Sequence, residues 1–296
     1  MFQIKKAGEK TYYIDFPTRV GIYKTGEDSV CLIDTGSDEK IGARIFKLCE
    51  TEGFKITAIF NTHCHADLTG GNAIIQLKTG CKVYCPDIDL GAVRHTILNQ
   101  IMLSGCYPLK ELDRRMYLAE SCSADALNPV ELPEGLEVIN LKGHTMGMVG
   151  FKTSDNVYFL ADSVVAPEAI MKYPATYLIS VYDYLETLDY LDTLDGSLYL
   201  PSHVAATENI KELVEINRKS VYEVIDTLIE YCKKPRSYED IIDYYFSSSC
   251  LPFNVAQYSL IGSTLRSYVS CLQRKGLLEL QCIGNRVYIK STENAI

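Results

Sequence analysis

His63, Cys64, His65, Ala66 and Asp67, closed by Gly70 and Gly71, set two imidazoles and a carboxylate within five residues in the spacing H-x-H-x-D-x-x-G-G. Neutral imidazole nitrogen and carboxylate oxygen are ligands for zinc, and also for iron or manganese. The chain has 5 His, so the positions of the others matter. His144 stands in Gly143-His144-Thr145-Met146-Gly147, after the strand-like run Leu136 to Leu141. His203 follows Leu198-Tyr199-Leu200-Pro201-Ser202, and Asp162 follows Val157-Tyr158-Phe159-Leu160-Ala161. The first cluster itself follows the apolar run Ile56 to Phe60. A lone histidine is usually a satisfied core or surface residue. Four histidines and two aspartates, each just beyond a strand-like run, form a pattern that chance rarely produces. The chemistry that such a set suits is metal-assisted hydrolysis, because a bound metal lowers the pKa of water from about 15.7 to roughly 7. Asp67 is then placed to orient the nucleophile and accept its proton. Nothing in the chain suggests a covalent serine or cysteine nucleophile.

The elements that must position these residues read as alternating strands and helices. Tyr12 to Phe16, Val20 to Lys24 and Val30 to Asp34 read as strands. Ser37 is the predicted N-cap of a helix reaching about Thr51, with Gly53 as its stop. Gly70 and Gly71 are expected to let the backbone turn tightly into a short helix, Gly71 to Lys78, ending at Gly80. Lys82 to Tyr84 reads as a strand flanked by Cys81 and Cys85, a spacing that suits neither a zinc knuckle nor a redox pair. Cys64 is expected to point away from its histidine neighbours and to be structural. Residues 86 to 135 interrupt the rhythm with helix-like stretches, Ile88 to Leu103 and Leu109 to Glu120. Tyr184, Leu188, Leu191 and Leu194 have helical spacing and face the core. Thr207 is the predicted cap of a long helix to about Cys232, with an apolar stripe of Leu213, Ile216, Val224, Leu228 and Ile229.

The order H-x-H-x-D-x-x-G-G, then G-H-T-x-G, then strand-A-D, then strand-P-S-H resembles the metallo-β-lactamase superfamily over roughly residues 12 to 205. The resemblance implies an α/β fold, an αββα sandwich with the metal site at one edge between the sheets. It implies that His63, His65 and His144 form a first metal site, that Asp67 and His203 belong to a second, and that Asp162 bridges them. Ile33-Asp34-Thr35-Gly36 is also similar to the family, in which such an aspartate supports the metal loop. One departure stands out: many hydrolases of the superfamily have a further histidine directly after the motif aspartate, where this chain has Leu68. The resemblance also implies that 86–135 covers the site, and the tyrosine-rich 163–194, with Lys172, Tyr173 and Tyr177, follows the bridging aspartate closely enough to meet a substrate. His95 as a substrate contact, and Arg94, Arg114 and Arg115 as anion contacts, stand against the plainer reading of helix-surface groups.

Composition narrows the class. At 296 residues, 47% hydrophobic and 23% charged, the chain has the balance of a globular protein with one large domain and a small one. No stretch nears the roughly 20 apolar residues of a membrane helix. The start lacks the apolar core of a signal peptide, so a cytoplasmic location is expected. The 11 Cys are scattered and include no C-x-x-C pair, which fits a reducing compartment. A net charge of −9 argues against nonspecific nucleic-acid binding.

Residues 1–232 are therefore read as the sandwich domain. After the linker Lys233-Lys234-Pro235, residues 235–296 are read as a small winged-helix-like domain: a helix from Tyr238 to Phe246, a second from Val255 to Arg274 ended by Gly276, and a hairpin of Leu277 to Gln281 and Arg286 to Lys290 around Gly284-Asn285. Its charges nearly cancel, and Tyr258, Ile261, Leu265, Tyr268 and Leu272 point to packing or homodimerisation in preference to DNA reading. Similarity to the hydroxyacylglutathione hydrolases extends to such a tail. The function expected is hydrolysis of a small ester, thioester or lactone with one or two Zn2+ per chain, Fe or Mn being alternatives. Three other readings stand beside it. One is a mononuclear iron enzyme similar to the sulfur dioxygenases. Another is an RNA or phosphodiester hydrolase. The third is a non-catalytic regulatory protein.

Overall fold

Alternation along the first strands sends successive side chains into two different cores. Tyr13, Tyr23, Cys31, Ile33 and Phe60 join one buried cluster, while their neighbours Ile14, Ile22, Leu32 and Ile59 join another. This is the period-two signature of a strand buried on both faces. The computed structural model describes residues 2–15, 18–104, 107–112, 118–128 and 130–295; Phe16, the end of one expected strand, and Arg114 and Arg115 lie outside them.

The strands β1 (Lys5–Lys6), β2 (Thr11–Ile14), β3 (Val20–Lys24), β4 (Ser29–Ile33), β5 (Lys55–Phe60), β6 (Lys82–Cys85) and β7 (Ala124–Ala126) form one sheet in sequential order. β1 to β4 pair antiparallel, and β4 to β7 run parallel. A second sheet has the order β11-β10-β9-β8, from β8 (Leu136–Asn140), β9 (Val149–Thr153), β10 (Val157–Ala161) and β11 (Leu198–Pro201). The cluster with Tyr23, Phe60, Phe151 and Phe159 fills the space between the sheets. Helices α1 (Glu39–Thr51) and α3 (Asn72–Thr79) cover the outer face of the first sheet through Ile45, Cys49 and Ile75. After the short α6 (Pro167–Lys172), helices α7 (Val181–Asp192) and α8 (Lys211–Tyr231) cover the second through Leu188, Val224 and Leu228. The architecture is the αββα sandwich.

The C-terminal region contains α9 (Tyr238–Ser248), α10 (Val255–Arg274) and the hairpin β12 (Leu278–Ile283) and β13 (Arg286–Ser291), in the order that the sequence implied. Its apolar side chains, among them Ile241, Leu265 and Ile289, belong to the same buried cluster as Leu160 and Leu188. Backbone hydrogen bonds pair Arg236 with Ile289 in both directions, at 2.9 and 2.7 Å, and tie Ser291 to Cys232 at 2.8 Å. Among the described residues, no helix is long and apolar enough to cross a membrane.

Several boundaries differ from expectation. The cap of α1 is Asp38, not Ser37: its carboxylate accepts from the Ile41 N–H at 2.9 Å, as a charged acceptor at a helix start should. Thr207 does not cap α8, because its backbone pairs with Tyr199 as a β-bridge and holds it in the sheet. Ile88 to Leu103 is two helices, α4 (Leu90–Arg94) and α5 (Ile97–Ser104), broken at His95. In the region from Leu109 to Glu120 only Lys110–Leu112 is described as helical, as one 3-10 turn.

The paired glycines also act for a different reason. Gly70 and Gly71 have ordinary right-handed backbone, with φ of −60° and −87°. What they lack room for is a side chain: a Cβ on Gly70 would lie 2.3 Å from the Ser37 carbonyl carbon, and one on Gly71 2.3 Å from the Thr35 oxygen and 2.7 Å from the Gly42 Cα. The short connection between the ligand loop and α3 is thus pressed against backbone that cannot rotate away. Gly71→Ala is expected to destabilise the fold by about 1–3 kcal/mol, as overpacking does; a urea melt that leaves the midpoint unchanged would refute this account.

Candidate metal centre

Strand direction gathers the six residues singled out above. β9 is antiparallel to both β8 and β10, and β10 is parallel to β11, so β8, β10 and β11 run the same way. Their C-terminal ends lie along one edge and carry His144, Asp162 and His203. β5, from the facing sheet, brings His63, His65 and Asp67 to the same edge, through the loop before the one-turn helix α2 (Ala66–Thr69). A hydrogen bond from the Val149 N–H to the Thr62 carbonyl, 2.9 Å, stitches the two sheets together there.

The donors form two groups that share one carboxylate: His63, His65, His144 and Asp162, and Asp67, Asp162 and His203. His65 Nδ1 lies 3.1 Å from His63 Nε2 and 3.0 Å from His144 Nε2. Asp162 Oδ2 is 3.3 Å from His144 Nε2 and 3.7 Å from His63 Nε2. Its other oxygen is 3.6 Å from His203 Nε2, which in turn sits 2.9 Å from Asp67 Oδ2. His95, the fifth histidine, is exposed and belongs to neither group. Arg94 is engaged elsewhere, donating to the Ala124 carbonyl at 2.7 Å.

Neighbours decide which nitrogen of each ring is free. Thr62 Oγ1 donates to Asp34 Oδ2 at 2.8 Å, so it accepts the Nδ1–H of His63, 3.1 Å away, and leaves the Nε2 lone pair facing the site. The Tyr177 carbonyl, 3.1 Å from His144 Nδ1, can only accept, and so frees the Nε2 of that ring. Such partners orient ligating histidines and raise their basicity. Asp34 and Ala161 both hold positive φ, 62° and 50°, beside this edge, a strained backbone that sites of this kind concentrate.

Electrostatics separates the two groups. Burial, with the neighbouring imidazoles His65, His144 and His203, drives His63 well below the ordinary histidine range. Burial and then His144 bring His65 to about 3. Both rings are therefore neutral, the form that binds metal. Burial also opposes charge on His203, but the carboxylates of Asp162 and Asp67 outweigh it and raise that group to about 9. Burial pushes Asp67 upward, and the His203 hydrogen bond and charge bring it below its usual value. Asp34, fully enclosed, is raised to about 7 by burial despite its bonds from Thr62 and Asn61.

One oxygen tests whether a metal fits. Asp162 Oδ1 is buried with no hydrogen-bond partner. A buried carboxylate oxygen left so is costly, and a cation is the group that satisfies it. Convergent imidazole lone pairs on the Oδ2 side of this carboxylate, and Asp67 and His203 on its Oδ1 side, fit a divalent metal ion.

Some residues that shape the centre carried no sequence signal. Asp89, buried, accepts from Thr145 Oγ1 at 2.7 Å and from the Gly147 N–H at 3.2 Å, and also takes hydrogen bonds from Cys64. It thereby joins the His144 loop to the His63 loop. Cys64 is buried and its thiol is pushed up by burial, in keeping with a structural role. Leu68 is fully buried, and its carbonyl accepts from the Thr35 N–H at 2.7 Å, so its side chain offers nothing to the second group.

Residues 14–203 match the sequence profile of the metallo-beta-lactamase superfamily. Among solved structures, a metallo-beta-lactamase family protein from Thermus thermophilus is similar, with 16% identity and a TM-score of 0.70 over 96% of this chain and 99% of that one. A beta-lactamase domain protein from Burkholderia ambifaria has 15% identity and a TM-score of 0.73, over 98% and 93%. A subclass B3 metallo-beta-lactamase, BJP-1 of Bradyrhizobium japonicum, has 19% identity and a TM-score of 0.58, over 77% and 94%. These likenesses establish the shared fold, and the first two extend it into the C-terminal helices and hairpin.

Two expectations follow from this geometry. Thr62→Val removes both the acceptor for His63 and the donor to Asp34, and should weaken divalent-metal binding, probed with zinc, by about 10- to 100-fold; unchanged affinity in a chelator competition would contradict that role. For chelator-treated protein, a His203 raised to about 9 above its unfolded 6.5 stabilises the fold fully below pH 6.5 and loses that contribution as pH rises through 9. His203→Gln should therefore melt below the wild type at pH 6 and alongside it near pH 10; a constant offset across that range would count against the ion pair with Asp67.

Proposed function

The chain belongs to the metallo-beta-lactamase superfamily, and from that membership we propose that it is a metal-dependent hydrolase of a small ester, thioester or lactone. The observation that carries the reading is the shared Asp162, a buried carboxylate with one oxygen toward each donor group. His63, His65, His144 and Asp162 would hold a first ion, and Asp67, Asp162 and His203 a second, zinc being the metal proposed. A divalent ion there supplies Lewis acidity and an acidified water.

The chain's own residues do the rest. Asp67, only partly buried and held ionised beside His203, is proposed to orient the attacking water and receive its proton. The Tyr177 ring lies against His65 and His144, with centroids 5.7 and 5.5 Å away, and walls one side of the donors. Met146, two residues after His144, is exposed, as is Ile88, whose side chain lies directly over Gly147. Apolar surface beside the His144 loop favours a substrate with an apolar acyl part. With a net charge of −9, a phosphodiester polymer is a poorer match. For the C-terminal region we propose packing or self-association, in keeping with its buried tyrosines and aliphatic side chains.

Buried Leu68 favours one second reading, a single iron in the first group with oxygen-dependent sulfur chemistry. Elemental analysis of protein purified without added metal separates the two: zinc or manganese supports the hydrolase, and one iron per chain supports the alternative. Zinc-loaded protein is expected to turn over members of a panel of acyl thioesters, esters and lactones. His63→Ala, which deletes a proposed ligand of the first ion, should lower kcat/KM by about 100-fold or more, at least as much as losing one electrostatic contact to the transition state costs. No turnover across the panel with metal fully bound would overturn the proposal.

A further inference from the structure

The second donor group is the more exposed one. His203 stands on irregular backbone after β11, with its side chain 45% exposed, and the side chain of Asp67 is 36% exposed. Leu68 faces the interior. The geometry points to Thr18 and Arg19, on the connection from β2 to β3, as positioning residues that set this group from behind.

Arg19 is buried and holds three of the carbonyls around His203. Its Nη1 donates to the Pro201 oxygen at 2.5 Å and to the Val204 oxygen at 2.8 Å, and its backbone N–H donates to the Ser202 oxygen at 3.1 Å. The adjacent Thr18, also buried, donates from Oγ1 to the Asp67 carbonyl at 2.9 Å. Two consecutive residues thus hold the backbone under both unshared donors of the second group. The guanidinium is fixed in turn by Asp15, which accepts from Nε at 3.1 Å and from Nη2 at 2.6 Å. That carboxylate, also paired with Lys5, offsets a buried positive charge that would otherwise repel a cation nearby. A planar fork with five donors can reach two carbonyls and a carboxylate together; a lysine ammonium cannot.

The inference rests on the two-ion reading above. Its test is zinc titration of the chelator-treated wild type, Arg19→Met, Arg19→Lys and Thr18→Val against a chromophoric chelator, with far-UV circular dichroism to confirm folding. Arg19→Met and Thr18→Val should leave the tighter ion's affinity roughly unchanged and weaken the second by about 10- to 100-fold, the usual scale for partners of metal ligands. Arg19→Lys, which keeps the charge but not the planar fork, should fall between. If Arg19→Met does not fold, Thr18→Val decides, since it deletes one hydroxyl at nearly constant volume. A second ion held as tightly in the folded variants as in the wild type overturns the proposal alone, as does equal weakening of both ions. A wild type that takes a single ion in excess zinc overturns the two-ion reading and the proposal with it.

Discussion

Three imidazoles, with His65 Nδ1 within hydrogen-bond distance of both His63 Nε2 and His144 Nε2, packed against a buried carboxylate, are the constraint on which the rest of this structure depends. Like groups so close in a low-dielectric setting cannot all carry charge. Burial holds His63 and His65 neutral, and the Thr62 hydroxyl and Tyr177 carbonyl turn the rings of His63 and His144 so that lone pairs converge. Convergent lone pairs repel unless something electrophilic stands between them. The arrangement therefore needs a rigid frame, and the sandwich provides one: every donor sits within a few residues of a strand end, and each strand is locked by a partner on at least one side.

The frame is more closely coupled to the site than strand ends alone require. Asp34 closes β4 with a strained backbone and reaches over to Thr62, so the first sheet supports the His63 loop from below. Gly42, Gly70 and Gly71 bring α1 and the start of α3 into backbone contact just behind Asp67. Asp89 reaches out of the 86–104 segment to hold both histidine loops. Packing and ligand placement are here one problem, because the residues that let the helices approach are the same ones that fix the loop.

Much of this was legible in the sequence, for a definable reason. Apolar runs declare strands, and donor residues just beyond them, in an order that resembles a known family, declare an edge site; His63, His65, Asp67, His144, Asp162 and His203 carry that pattern and do come together. The order of helices and hairpin after Pro235 was equally legible, because helical spacing and a Gly-Asn turn are local signals. What was not legible is what depends on partners distant in sequence. Asp89 looks like any carboxylate at a helix start until the fold brings Thr145 and Gly147 to it. Arg19 looks like a surface charge until residues 201–204 fold over it. Thr207 has the composition of a cap, but pairing with Tyr199 satisfies its backbone first. The paired glycines stand out in the sequence but not the reason for them, since a steric requirement between segments leaves no mark that differs from a requirement on φ.

The two donor groups differ in a way that follows from what a site of this kind must do. His63 is fully enclosed and His144 largely so, and their orientation comes from side-chain and carbonyl partners at ring nitrogens. Asp67 and His203 stand toward solvent, the side from which any ligand of the site would approach. A donor at an open mouth cannot be steadied by burying it, because whatever covered it would also close the mouth. Its precision has to come from the backbone on the protected side. In this chain that side is occupied by a threonine hydroxyl and an arginine fork aimed at main-chain carbonyls, which carry no chemistry of their own and leave both functional atoms free.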